Sequence, residues 1–276
     1  MDPYLVLGGA LVGFVVGATG VGGGSLMTPL LTLGFQVPAQ IAVGTDLLFA
    51  AITKAGGAFA HARRGNVQWT ITGWLVAGSV PAALATLGTL HALRADPVAF
   101  ATIVKRALGL ALLTTAAALA FRSNIQALGA RFARSDARAT ALAVAIDWGC
   151  VPIAVERTAR PLPTLAVGAA IGALVTLTSV GAGVLGVVAL LFLYPRLPVR
   201  QIVGADIAHA VPLALVAGLG HAALGTVDWT LLGALLVGSL PAIYVGAAIA
   251  HRLPERALRI ALATMLTGIG TKLLAG

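Results

Sequence analysis

Three apolar runs follow one another between positions 38 and 121, at about 38–62, 67–91 and 98–121. Each is long enough to cross roughly 30 Å of hydrocarbon as a helix. Further runs occupy about 4–34, 162–194, 198–224, 227–250 and 257–275, with a short one at 139–154. In a bilayer the backbone must satisfy its own hydrogen bonds, which leaves helices or closed barrels, and runs of this length are helical. Only 10% of the residues are charged, against about 25% in a soluble domain, so the chain cannot cover itself with a polar surface. The expected class is an all-α polytopic membrane protein. The net charge of +9 sits in short loops between runs and reads as membrane orientation, not as a nucleic-acid surface. The start, "MDPYLVLGG", lacks a basic n-region, so a cleaved signal peptide is not expected. The single cysteine, Cys150, allows no internal disulfide and has no histidine pair beside it.

The two halves repeat. "TGVGGGSL" (Thr19–Leu26) matches "TSVGAGVL" (Thr178–Leu185), and "PAQIAVGTD" (Pro38–Asp46) matches "PVRQIVGAD" (Pro198–Asp206). "HARRGNVQWT" (His61–Thr70) matches "HAALGTVDWT" (His221–Thr230), and "GSVPA" matches "GSLPA". Across 38–82 and 198–242, 17 of 45 positions are identical without a gap, and the identities include His, Trp, Asp and Pro together, which apolar composition alone does not align. Internal duplication is the organisation of secondary transporters. The expected division is a first transmembrane repeat at 1–121, a basic cytoplasmic linker with a short apolar piece at 122–160, and a second repeat at 161–276. Pro38 and Pro198 are expected in the first turn of a helix, and Trp69 and Trp229 at the membrane–water interface.

Each repeat holds about four hydrophobic segments. Four simple crossings per half would make the repeats parallel and divide the basic residues evenly. If each glycine-rich segment dips in and returns, three crossings remain per half. Arg63, Arg64, Arg122, Arg131, Arg134, Arg138, Arg157, Arg160, Arg196, Arg200, Arg252 and Arg256 then share one side, leaving Arg94, Lys105, Arg106 and Lys272 on the other. A crossing by 139–154 also inverts the repeats with nearly the same bias. Charge favours inversion and leaves the span count open.

Each half opens with a segment of about 31 residues, roughly 46 Å of helix, too long for one untilted crossing. The first contains four glycines in five positions, Gly20 to Gly24, and the second contains Gly181 and Gly183. Glycine costs about 1 kcal/mol in a helix interior, so a helix break is expected at each. A break within the membrane is tolerated where freed backbone groups are buried in protein or line a wet cavity. The half-helix beyond it aims unpaired N–H groups and a positive dipole end into that cavity, which suits an anion without any charged side chain. The alternative is that the glycines only permit close helix packing.

The stretch "GATGVGGGSLMTPLLTLGFQVPAQIAVGTDLL", the "HARRGNVQW" after it, and their echoes "TSVGAGVLG" and "GHAALGTVDW" resemble the TauE/SafE family of sulfite-exporter-like membrane permeases. The resemblance covers about residues 5–273 apart from 122–160. It implies a secondary transporter of small sulfur-containing anions such as sulfite or sulfonates in the cell (plasma or inner) membrane. Asp46 stands where many members carry a small hydroxyl residue, and Ala182 replaces a glycine of the second loop.

The expected substrate site is therefore Thr19, Gly20, Val21, Gly22, Gly23, Gly24 and Ser25 with Thr45 in the first half, facing Thr178, Ser179, Val180, Gly181, Ala182 and Gly183. The hydroxyl groups can bond an oxyanion or turn back to their own helix. Asp46 and Asp206, equivalent in the repeat, lie roughly 12 Å into their helices. An ionised acid would repel an anion, so each reads either as a proton carrier or as a partner for a neighbouring helix end. Lys54 has Ala214 as its equivalent and can pair with Asp46 or with substrate; His209 has Phe49. His61 and His221 lie near span ends and read as loop-packing residues or as gates. "GSVP" and "GSLP" are expected to kink helices, with Ser79 and Ser239 within reach of the cavity. The glycine loop lacks the Lys-Ser/Thr of a phosphate loop, no strand precedes it, and no nucleophile, zinc set or haem pair is visible. No cofactor and no enzymatic activity are expected. The expected partners are a small anion, the lipid bilayer and protons as coupling ion; a homodimer is compatible with a sequence that fixes no oligomeric state. An anion channel on the same scaffold is the alternative, and it would need no coupling acid.

Overall fold

A computed structural model describes residues 3–19, 24–93, 96–121, 160–249 and 255–275. The described residues form ten α-helices and no strand. In the first half these are α1 (Pro3–Thr19), α2 (Gly24–Pro29, continued as a π-helical turn over Leu30–Gly34), α3 (Ala39–Arg63), α4 (Trp69–Leu93) and α5 (Pro97–Ala120). The second half has α6 (Pro161–Thr178), α7 (Val184–Leu193), α8 (Val199–Ala223), α9 (Trp229–Ile249) and α10 (Glu255–Ala275). Six helices, α3, α4, α5, α6, α8 and α9, are long and apolar enough to cross a membrane. The protein is a polytopic helical membrane protein. Cys150 and the stretch 122–159 lie outside the described residues, as do Arg94 and Arg252.

The helix ends follow local chemistry. Pro38 and Pro198 stand one residue before their helices instead of in the first turn, with φ −51° and −56° and extended ψ. Each carbonyl accepts the first intrahelical bonds, Pro38 from Ile41 and Ala42, Pro198 from Gln201 and Ile202. Asp96 caps α5, accepting from the Val98 and Ala99 N–H groups, and Asp228 caps α9 through Thr230 and Leu231. α3 and α8 end alike: Gly65 (φ 67°) and Gly225 (φ 72°) take the left-handed turn. The Asn66 N–H reaches back to the His61 carbonyl and that of Thr226 to the His221 carbonyl, both at 3.0 Å. Trp69 and Trp229 open α4 and α9 and are both exposed, as interfacial rings would be. Pro81 and Pro241 lie inside α4 and α9.

Equivalent positions of the two halves meet each other's counterparts. α1 packs on α9 and α4 on α6, while α3 packs on α8 and α5 on α10. Gly44 of α3 lies against His221 and Thr226, and Gly204 of α8 against His61 and Asn66. With Gly218 against Leu48 and Gly57 against Ile207, the two helices run antiparallel along their length. Gly109 against Leu274, with Gly270 against Leu113, sets α5 and α10 antiparallel too. α1 and α9 run parallel, with Gly9 against Leu235 and Gly13 against Ser239; Gly168 on Leu75 and Gly172 on Ser79 repeat this between α6 and α4. At Gly9, Gly13, Gly44, Gly168, Gly172 and Gly204 a Cβ would strike the partner backbone, so small residues there let the helices close to van der Waals distance, one of the sources of helix association in lipid.

Candidate functional site

The second half-segment is broken where its glycines fall. α6 stops at Thr178 because Ser179 adopts the left-handed conformation (φ 57°, ψ 1°), and its N–H still reaches the Val175 carbonyl at 2.7 Å. The Thr178 hydroxyl donates to the Leu174 carbonyl and accepts from the Val180 N–H at 3.1 Å. Gly181 (φ 118°) and Gly183 (φ 145°) occupy backbone conformations that side chains rarely adopt. Ala182 sits between them at an ordinary φ, which is how this half tolerates alanine where the first has glycine. α7 then starts at Val184. The N–H groups of Gly181, Ala182 and Gly183 meet no acceptor among the described residues, and Val180, Gly181 and Ala182 are buried.

α3 brings charge to this break. The Lys54 ammonium donates to the Ala182 carbonyl, not to Asp46, although the Asp46 and Asp206 carboxylates both act on its charge. Asp46 is fully buried; its Oδ2 accepts a short hydrogen bond from Thr28 of α2. The Ser179 hydroxyl faces the same carboxylate, yet Ser179 Oγ and Asp46 Oδ1 each lack a hydrogen-bond partner. Asp206 is buried over α7 at the place a Cβ of Gly186 would take, and its Oδ1 has no partner either. Its surroundings differ because Met27 and Val187 stand where the other half has Gly186 and Thr28. His209, fully buried on α8, places Nε2 2.9 Å from Ser79 Oγ on α4 and feels the Lys54 charge.

Lys54, Asp46, Asp206 and His209 thus gather around the second break with Ser179 and Ala182. Other expected residues lie elsewhere. The Thr45 hydroxyl accepts the Asp228 N–H at 3.0 Å and ties α3 to the start of α9. His221 is fully buried against the turn after α8, with Nε2 2.9 Å from the Thr176 carbonyl and Nδ1 2.8 Å from Thr226 Oγ1. A carbonyl only accepts, so Nε2 carries the proton. His61 lies at the matching turn, half-buried, with Nδ1 unpartnered. Gly20, Val21, Gly22 and Gly23 fall outside the described residues. Thr19 ends α1, and Gly24 and Ser25 open α2.

Sequence reasoning missed Thr28, Gly186 and Thr176. Thr28 carried a signal: it is a hydroxyl residue one turn past the glycines whose repeat equivalent, Val187, is apolar.

The model for the family described as Sulfite exporter TauE/SafE matches residues 5–273, both halves and both glycine segments. The chain belongs to this family. It is 34% identical over 274 residues to a Bacillus subtilis protein titled "Probable membrane transporter protein YjnA", covering 99% of this chain and 100% of that one. A second Bacillus subtilis relative, "Probable membrane transporter protein YdhB", is 28% identical over 252 residues, 91% of each chain. A Xylella fastidiosa "Probable membrane transporter protein" is 28% identical over 249 residues, 89% of this chain and 83% of the relative. No solved structure matches. The TauE/SafE protein described above is a multi-pass membrane transporter and not an enzyme.

Proposed function

We propose that the protein is a proton-coupled secondary transporter that exports a small sulfur-containing anion, such as sulfite or an organosulfonate, bound between the two glycine segments. The second break carries this reading: the N–H groups of Gly181, Ala182 and Gly183, which meet no acceptor among the described residues, lie beside the Lys54 ammonium. Backbone donors at a helix start and one ammonium bind an oxyanion with little reorganisation. The family description, a sulfite exporter, supplies the substrate class and the direction.

Alternating access follows from inverted repeats, which the packing supports. α3 and α8 are equivalents that run antiparallel, which is what halves related by an axis in the membrane plane would give. The Gln68–Gln201 hydrogen bond, 2.9 Å, holds the Arg63–Arg64 turn beside Arg200. That matches a single cytoplasmic side rich in arginine.

The test is flux into liposomes containing the purified protein, with sulfite, methanesulfonate, ethanesulfonate, sulfate and chloride, with and without a pH gradient. Sulfite or sulfonate uptake driven by the gradient is expected. Uptake indifferent to the gradient, with chloride passing equally well, would make the protein an anion channel.

A further inference from the structure

Lys54 is the only cation acting on either buried carboxylate among the described residues. The groups that face it are Asp46 on its own helix, Asp206 and His209 on α8, and the Ala182 carbonyl of the break, with Ser179 beyond at the Asp46 carboxylate. Both carboxylates are buried with an unpartnered oxygen, while Lys54 is half-buried. The repeat does not provide a second such cation, since the equivalent of Lys54 is the fully buried Ala214.

A buried compartment of low polarity carries net charge only at great cost. One ammonium balances one negative charge. In the cycle proposed here, the empty site holds that charge as a single ionised carboxylate, and the other acid is neutral. A bound monoanion takes the ammonium for itself, and two negative charges facing one cation would leave one uncompensated. We propose that Lys54 is a single counter-cation for which the substrate anion and the two aspartates compete, so that each monoanion crosses together with one proton and no net charge. This rests on the transport reading above. The proton comes from water on the side where the anion enters, resides on the carboxylate whose charge Lys54 no longer balances, and returns to water on the other side when the anion leaves.

Ethanesulfonate is a suitable probe because it remains a monoanion at every working pH; sulfite at mildly acid pH, where hydrogensulfite predominates, serves as the second. In liposomes the wild-type flux is expected to carry one proton per anion, read with an internal pH dye. It is expected to be unaffected by potassium–valinomycin potentials of either sign. Lys54→Met is expected to weaken anion-dependent thermal stabilisation by about tenfold or more in anion concentration, the loss of one charge-assisted contact, while Lys54→Arg retains it. Asp46→Asn/Asp206→Asn is expected to keep anion binding, lose proton cotransport and become voltage-driven. The proposal falls if Lys54→Met binds the probes as wild type does, or if the double variant still moves protons with the anion. Should Lys54→Met fail to fold, wild-type flux decides alone: voltage-driven transport without protons overturns the proposal. If wild type binds neither probe, the transport reading falls and takes this one with it; if wild type binds and Lys54 is indifferent, only this one falls.

Discussion

α3 and α8 start after the same proline, bury the same aspartate eight positions later, and end in the same His-x-x-x-Gly turn. They meet antiparallel, and yet they no longer do the same work. α3 carries Lys54 and Phe49; α8 carries Ala214 and His209 in their place. The Asp46 carboxylate is held by Thr28, whereas Asp206 lies over Gly186 with no hydroxyl beside it on α7. The shared residues are those that build turns and helix contacts, which both halves need. The divergent ones surround the second break, the proposed anion site, and a site for one substrate has no reason to stay symmetric.

The comparison can be broken most strongly at the helix ends. His221→Ala removes both ring contacts of His221 and strands the buried Thr176 carbonyl, while the Thr226 hydroxyl keeps its bond to the backbone carbonyl of position 221. Leaving a buried polar group unpaired costs about 1–3 kcal/mol, and with the lost ring packing a loss of roughly 3 kcal/mol is expected. His61→Ala at the equivalent place, where Nδ1 already lacks a partner, should cost under about 1 kcal/mol. Thermal denaturation in detergent of the two variants decides this; equal losses would mean the two turns are still equivalent.

A smaller effect is expected at α7. Gly186→Ala places a methyl group where the Asp206 carboxylate stands, and overpacking of this kind costs about 1–3 kcal/mol. Combining it with Asp206→Ala should recover most of that loss. A double variant as unstable as the sum of the two singles would show that the collision is absorbed elsewhere. The smallest effect is at Ser179, held at φ 57°. Ser179→Gly relieves that strain while loosening the unfolded chain, and a net change within about 1 kcal/mol is expected. Its hydroxyl lacks a partner, so a marked loss of stability would reveal a bond the folded protein relies on.

Much of this was legible in the sequence. Long apolar runs leave only helices in a bilayer, so the class follows from length and hydropathy. The duplication, the helix boundaries near Pro38 and Pro198 and the second break near Gly181 and Gly183 follow from residues whose effect is local: proline fixes φ, and glycine opens conformations closed to the rest. Asp46, Asp206, Lys54 and His209 were recognisable because ionisable residues are costly within apolar helices. What each one touches was not legible. Lys54 was open between Asp46 and substrate, and the fold turns it to the carbonyl of Ala182, 128 positions away in the chain. Thr45 sits beside Asp46 in sequence yet faces the start of α9, because adjacent residues on a helix point about 100° apart and meet different neighbours. Sequence determined which groups would be expensive to bury and where helices would stop, since both are properties of single residues and their immediate neighbours. Only the tertiary structure decided which groups meet, because those contacts depend on how α3, α8 and the second break pack across the two halves, and no local rule carries that distance.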